Sequence, residues 1–368
     1  AAGLVELDGG GAVVEHQVSG PTGSDVAPCA SEPSPTWYFA AGETTRDAAE
    51  VLVFFNPFPD PAVVDVTFRT EEDLRSPEEF QGLVIPARSV LAREIGSFVT
   101  RRLHVSTSVV ARAGRLVVDR ILLFDGSEGR TGLDVALGAP EPALVWYSPD
   151  GVVATSISER FVVYNPGDTR AEVDLTLEPV DEAIGAIEPF QLTIPPEGFQ
   201  ELIVGDEERI GAALDAAGAG ILRHGTRIVS LNDVPVVVER TTVGEDRTAR
   251  TGFDIAAATP VLTERAVIAP DTEGDGGHVS VSNPDGEAPA EVTLRTAADD
   301  EVASVTVDPA STLDRDRSEF DAGDEPLVLE SSLPVAVERR RRLDDGTQIA
   351  HTIAVPSAGF LTRPTPPG

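Results

Sequence analysis

Lysine is missing from this chain of 368 residues: all 28 basic residues are Arg, set against 62 acids for a formal charge of −34. So negative a surface stays hydrated and repels nucleic acid and anionic membranes. Coding bias from a GC-rich genome accounts for the missing Lys; adaptation to salt is the second explanation. Methionine is also absent, even at position 1, so the chain is expected to begin after a processing site or an imposed boundary, with any signal peptide gone. One cysteine, Cys29, excludes an intramolecular disulfide and a cysteine-rich metal site. No apolar run is long enough to span a bilayer. The five His (16, 104, 224, 278 and 351) follow no ligand spacing, which argues against zinc. No G-x-S-x-G, HExxH or P-loop is present. Paired carboxylates for glycoside hydrolysis do not stand out from so acidic a background.

Asparagine is nearly absent too. Of four Asn, three precede Pro: Asn56-Pro57, Asn165-Pro166 and Asn283-Pro284. Each follows a strand-like run ("VLVFF", "RFVVY", "HVSVS") and precedes an alternating one ("AVVDVTF", "AEVDLTL", "AEVTLRT"). Alternation is the period of a half-buried strand. Proline fixes φ, cannot donate to a ladder and pushes the residue before it into extended backbone. Asn-Pro is therefore read as structural punctuation that ends one strand and opens a hairpin. The register predicts that Val64, Val66, Val173, Leu175, Val292 and Leu294 face cores.

Other landmarks recur in the same order. A Pro breaks each later strand at Pro86, Pro195 and Pro309. A Val-acidic-Arg strand ends at Arg120, Arg240 and Arg339. After it come "TGLDVALGAP", "TGFDIAAATP" and the weaker "IAHTIAVP". "VVEHQVSG" and "SDVAPCASEPSPTW" near the N-terminus match "VVDRILLFDG" and "LDVALGAPEPALVW". The organisation expected is thus 1–36 (strands resembling the end of a preceding repeat, or a swapped strand completing the first sandwich), repeats at 37–140, 141–259 and 260–358, and a tail at 359–368. Short strands separated by turn residues predict an all-β chain of tandem immunoglobulin-like antiparallel sandwiches. One short helix is expected in the second repeat, over 205–218, with Asp206 as cap and Ile210, Ala213, Leu214 and Ala217 on one face.

"WYFAAG", an apolar strand, Asn-Pro, "AxV", a Pro-broken strand and a Val-acidic-Arg hairpin together resemble the uncharacterised secreted or membrane-anchored actinobacterial proteins with tandem "WYFAEG…NP" repeats. The likeness is best in the first repeat, partial in the second ("WYSPDG") and degenerate in the third. It implies an extracytoplasmic, cell-envelope setting. It brings no catalytic residues.

The candidate sites are few. The aromatic box Trp37, Tyr38, Phe39 and its counterpart Trp146, Tyr147 could stack on sugar rings, or pack where a linker enters the sandwich. Asp271, Glu273 and Asp275 have the spacing of a calcium loop but lack its twelfth-position acid, so weak calcium binding or a plain acidic turn is expected there, and no other cofactor. Arg120, Arg240 and Arg339 are expected to pair across strands with acids such as Asp65 and Asp174. The basic run "ERRRRLDDG" reads as a strand end with alternate Arg in solvent, or as a dock for an acidic neighbour. The functional expectation is a non-enzymatic structural or interaction protein of the cell envelope. Its partner would be an envelope protein or glycan, and membrane contact would come only through a segment outside this chain. A glycan-binding module and a β-sandwich hydrolase are the alternatives.

Overall fold

The computed structural model describes residues 2–6, 12–245, 251–270, 277–320, 325–343, 348–353, 355–356 and 361–366. Almost every ordered element is an antiparallel strand. In the first repeat two sheets face each other. One runs Thr131–Leu137, Val117–Asp125, Ala48–Asn56, Ser89–Glu94; the other is built on Thr36–Phe39, Val105–Ala113 and Ala62–Thr70. Between them lie Trp37, Leu52, Phe54, Val64, Val66 and Phe68, all buried. The alternation read in the sequence supplies this core: Val64, Val66, Val173, Leu175, Val292 and Leu294 are each at most 3% exposed.

The second repeat keeps the strand pattern over Val145–Ala154 to Thr251–Ala257, but the pairing of Ala154 with Ile157 joins its strands into one eight-stranded sheet. Its helix covers Glu208–Ala217 and ends at Gly218, whose φ of 64° is left-handed. Ile210 is buried, and Ala213, Leu214 and Ala217 pack on the same core. Asp206 is not the cap. It lies in a preceding 3₁₀ turn, and Glu207 holds the cap position without a side-chain bond. In the third repeat one strand of 17 residues, Leu327–Leu343, pairs first with Leu262–Ile268 and Ala290–Thr296, then with His278–Asn283 and Gln348–Ile353.

The Asn-Pro turns are built alike. Asn56 Nδ2 donates to the carbonyls of Asp60, Ile85 and Pro86, and its Oδ1 accepts from Phe58 N. Asn165 does the same with Thr169, Ile194, Pro195 and Gly167, and Asn283 with Ala288, Val307, Asp308 and Asp285. All three are 0% exposed. Each therefore ties its own hairpin to the Pro-broken strand as well as terminating a strand.

The N-terminal segment forms a hairpin, Glu15–Gly20 with Gly23–Pro28. It adds no strand to either sheet of the first repeat. Its second strand packs instead against Thr131–Leu137 of the first repeat and Gln348–Ile353 of the third. Thr131–Leu137 packs in turn on Thr251–Ala257, and that strand on Gln348–Ile353. The four strands close a circle. Between the first two repeats, Phe124 meets Phe253 edge-to-face at 4.7 Å. Val145, Tyr147, Leu262 and Ala336 join the second repeat to the third, and Val26, Leu343 and Ala350 join the hairpin to the third.

Candidate functional site

The repeated Arg residues are among the most buried side chains of the molecule: Arg120 and Arg240 are 0% exposed and Arg339 1%. A guanidinium stripped of water needs acid partners and saturated N–H groups. The partners are not Asp65 or Asp174. Asp65 lies in the opposite sheet and bonds Arg112 at 2.6 Å, and Asp174 likewise lies on a strand remote from the closing hairpin. Each Arg reaches out of its own repeat. Arg120 bonds Glu239 (3.0 Å), Arg240 bonds Glu338 (2.7 Å), and Arg339 bonds Glu15 of the N-terminal hairpin (2.7 Å). Each acceptor is the residue just before the next repeat's own Arg or, in the hairpin, before His16. His16 in turn lies 3.7 Å from Asp119, the residue before Arg120. One contact per junction runs full circle.

Other guanidinium hydrogens are used as well, although the Nε of Arg120 and of Arg240 finds no hydrogen-bond partner among the described residues. Arg120 bonds the Ala41 carbonyl, Arg240 the Ser148 hydroxyl, and Arg339 the carbonyls of Ala269 and Pro270. The run after Glu338 is not a solvent-facing strand end. Arg340 and Arg341 are each 7% exposed, and Arg340 lies 3.1 Å from buried Asp150 of the second repeat.

A second circle lies inside the first. Asp25, Asp134 and Asp254 occupy the same position of successive hairpins; register puts Ala350 at the fourth. Each carboxylate accepts the backbone N–H of the residue one past the next repeat's equivalent: Val135, Ile255 and His351 respectively. One oxygen from each acid falls within 4.8 Å of the other two, and all three side chains are buried. Burial, then the charges of Asp254 and Asp134, raises Asp25 well above the usual carboxylate range. Asp134 is pushed up to about 8, by burial first, against the pull of Arg120. Glu50, buried near Arg120 and Glu239, also rises to about 8, mainly through burial. Asp150 goes the other way. Burial opposes its ionisation, but Arg340, His351 and Arg240 hold it at about 2. His351 bridges Asp254 (2.7 Å) and Asp150 (3.6 Å).

The aromatic box belongs to the cores. Trp37 and Trp146 are each 1% exposed. Their indole N–H groups donate to Leu116 O and Val236 O, both at 2.8 Å. Tyr147 is buried, which pushes its hydroxyl up to about 12, and Tyr38 is half-buried. No indole face is left for a sugar in this conformation. Asp271, Glu273 and Asp275 lie outside the described residues.

The group around His104 has the composition of a hydrolytic triad. His104 Nε2 lies 2.7 Å from Ser106 Oγ and its Nδ1 2.9 Å from Glu201. Yet Ser106 is 0% exposed, and its hydroxyl donates to Ala40 O at 2.6 Å. A nucleophilic Ser gives its proton to His; this one gives it to a carbonyl. His104 stacks on Phe199, ring centroids 3.4 Å apart, so the group works as a joint between the first two repeats. A cavity of about 200 Å³ at the same junction is lined by Phe124, Arg130, Arg160, Ser158 and Phe253. Its Arg130 is taken up by Glu43 and Asp47, and its Arg160 by Glu201.

Sequence reasoning found the repeated Arg but missed its partners and the inner acids. The signal for the acids was present: "LDVAL", "FDIAA" and "SDVAP" put an Asp at one position of three otherwise apolar strands.

Fold and site define an all-β protein whose repeats and N-terminal hairpin close a circle, with a buried Arg–Glu pair at three of the four junctions. The chain belongs to the family of unknown function DUF5719, whose model matches residues 11–314. No curated protein matches it. Among solved structures it is similar to Thermotoga maritima 1070, at 16% identity over 32% of this chain and 95% of that one, with a TM-score of 0.27. It is similar also to the BSP domain of a biofilm-associated protein (8%, 90% and 98%, TM-score 0.15) and to BcpA, the major pilin subunit of Bacillus cereus (8%, 84% and 97%, TM-score 0.14). Likeness at that level says nothing of what this chain does.

Proposed function

We propose that this chain is a non-enzymatic structural and interaction protein of the cell envelope, acting outside the cytoplasm as a rigid acidic spacer. The observation that carries the reading is the set of three buried Arg–Glu pairs that join successive repeats and the N-terminal hairpin. The repeated Arg and their Glu partners are spent on holding repeats together, and the Ser106, His104, Glu201 group is oriented against nucleophilic attack. A charge of −34 keeps such a body hydrated and separates it from like-charged neighbours. Residues 37–38 and 146–147 are assigned to packing, so the partner is a protein or glycan that reads the exterior. The test is fractionation of the native cells combined with crosslinking on intact cells. Recovery with the envelope, crosslinked to one reproducible partner, is the expected result. Recovery in the cytosol, or turnover of a glycan or peptide substrate by the purified chain, would overturn the reading.

A further inference from the structure

We propose that Asp25, Asp134 and Asp254 form a buried site for a hard divalent cation, calcium by class, with one ligand supplied by the N-terminal hairpin. The argument is geometric first. Calcium sits 2.3–2.6 Å from its oxygens, so two ligand oxygens on one ion are separated by at most about 5 Å. The three carboxylates meet that condition, each pair lying within 4.8 Å. The inner donors are oxygen only, the set that suits calcium or magnesium over softer metals.

A second observation points the same way. Thr242 stands directly across the ladder from Asp254, on the same face. It is 0% exposed, and its hydroxyl has no partner among the described residues. A buried hydroxyl without a partner costs about 1–3 kcal/mol, and an ion or its bound water beside Asp254 would satisfy it. Charge balance agrees. Near three acids stand Arg120, 3.5 Å from Asp134, and His351 against Asp254. Arg120 is already shared with Glu239. A divalent cation would offset the negative charge that one shared guanidinium leaves on three carboxylates. Because Asp25 comes from the hairpin and Asp134 and Asp254 from the first two repeats, the ion would fasten the hairpin where the circle closes.

The test is calorimetric titration of the EDTA-treated full chain with calcium chloride at pH 7. One site per chain is expected. Binding should disappear in Asp134→Asn and Asp25→Asn, weaken in Thr242→Val, and persist in an Asp271→Ala, Asp275→Ala double variant. Thr242→Val keeps all three acids, so the proposal stays testable if an Asn variant fails to fold. Unchanged affinity in Thr242→Val, the absence of a stoichiometric site, or loss of the site only in the Asp271, Asp275 variant would overturn the proposal.

Discussion

Asn56, Asn165 and Asn283 show how much one side chain can hold. Each donates to up to three carbonyls of two segments and accepts one backbone N–H, wholly out of water. Asn165→Ala strands those groups and is expected to lower stability by about 2–3 kcal/mol, the scale for buried polar atoms left unpaired. Urea denaturation measures it; a loss near zero would mean that water replaces the amide. The Asn-Pro motif itself was legible, because proline's constraints act within a few residues. The reach of the amide to the carbonyls around Pro86, Pro195 and Pro309 was not. It depends on which strand lies alongside.

The buried acids set a pH dependence whose sign can be worked out. Glu50 and Asp134 have folded pKa values of about 8, above their ordinary 4.5 and 3.8. Over that interval the folded chain holds more protons than the unfolded one, so stability falls as pH rises from about 4 to 8. Asp150, held at about 2, adds stability above its ordinary 3.8 that is lost as pH drops toward 2. In EDTA the melting temperature should therefore rise from pH 2 to about 4 and decline toward pH 8. Glu50→Gln should flatten part of the decline. A melting temperature still climbing between pH 5 and 8 would contradict these assignments.

At the scale of elements, the N-terminal hairpin is the informative piece. Its likeness to the closing hairpins of the repeats could be read from "VVEHQVSG" and "SDVAP". Its place could not. A hairpin with a repeat's sequence can end an earlier repeat or complete this one, and what decides is that Glu15 and Asp25 fit the surfaces left open by the third and first repeats. The Arg partners were illegible for the same reason. Cross-strand rules reach the neighbouring strand, whereas Glu239, Glu338 and Glu15 come from other repeats. Removing residues 1–30 should therefore destabilise the third repeat, which loses the Glu15 carboxylate opposite Arg339. Hydrogen exchange should show faster opening of Leu327–Leu343 in the shortened chain than in the full one. Unchanged protection there would show the hairpin to be an ornament.

For the molecule as a whole, composition gave an excess of acids and the structure divides it. Arg120, Arg240, Arg339 and Arg340 are used up inside against Glu239, Glu338, Glu15 and Asp150. The outer acids are left with fewer counter-charges than the 28 Arg suggest. Long-range repulsion among them is screened over about 10 Å at 0.1 M salt, so the melting temperature should rise smoothly with sodium chloride. Indifference to salt would mean that the outer acids are already paired. The central claim is that the repeats and the N-terminal hairpin form one circle closed by buried charge. A double-mutant cycle between Glu15 and Arg339, 324 residues apart in sequence, tests it most directly. With Glu15→Gln and Arg339→Met, closure predicts a coupling of about 2–4 kcal/mol, the range of close, desolvated ion pairs. Effects that add to within about 0.5 kcal/mol, as those of independent sites do, would contradict it.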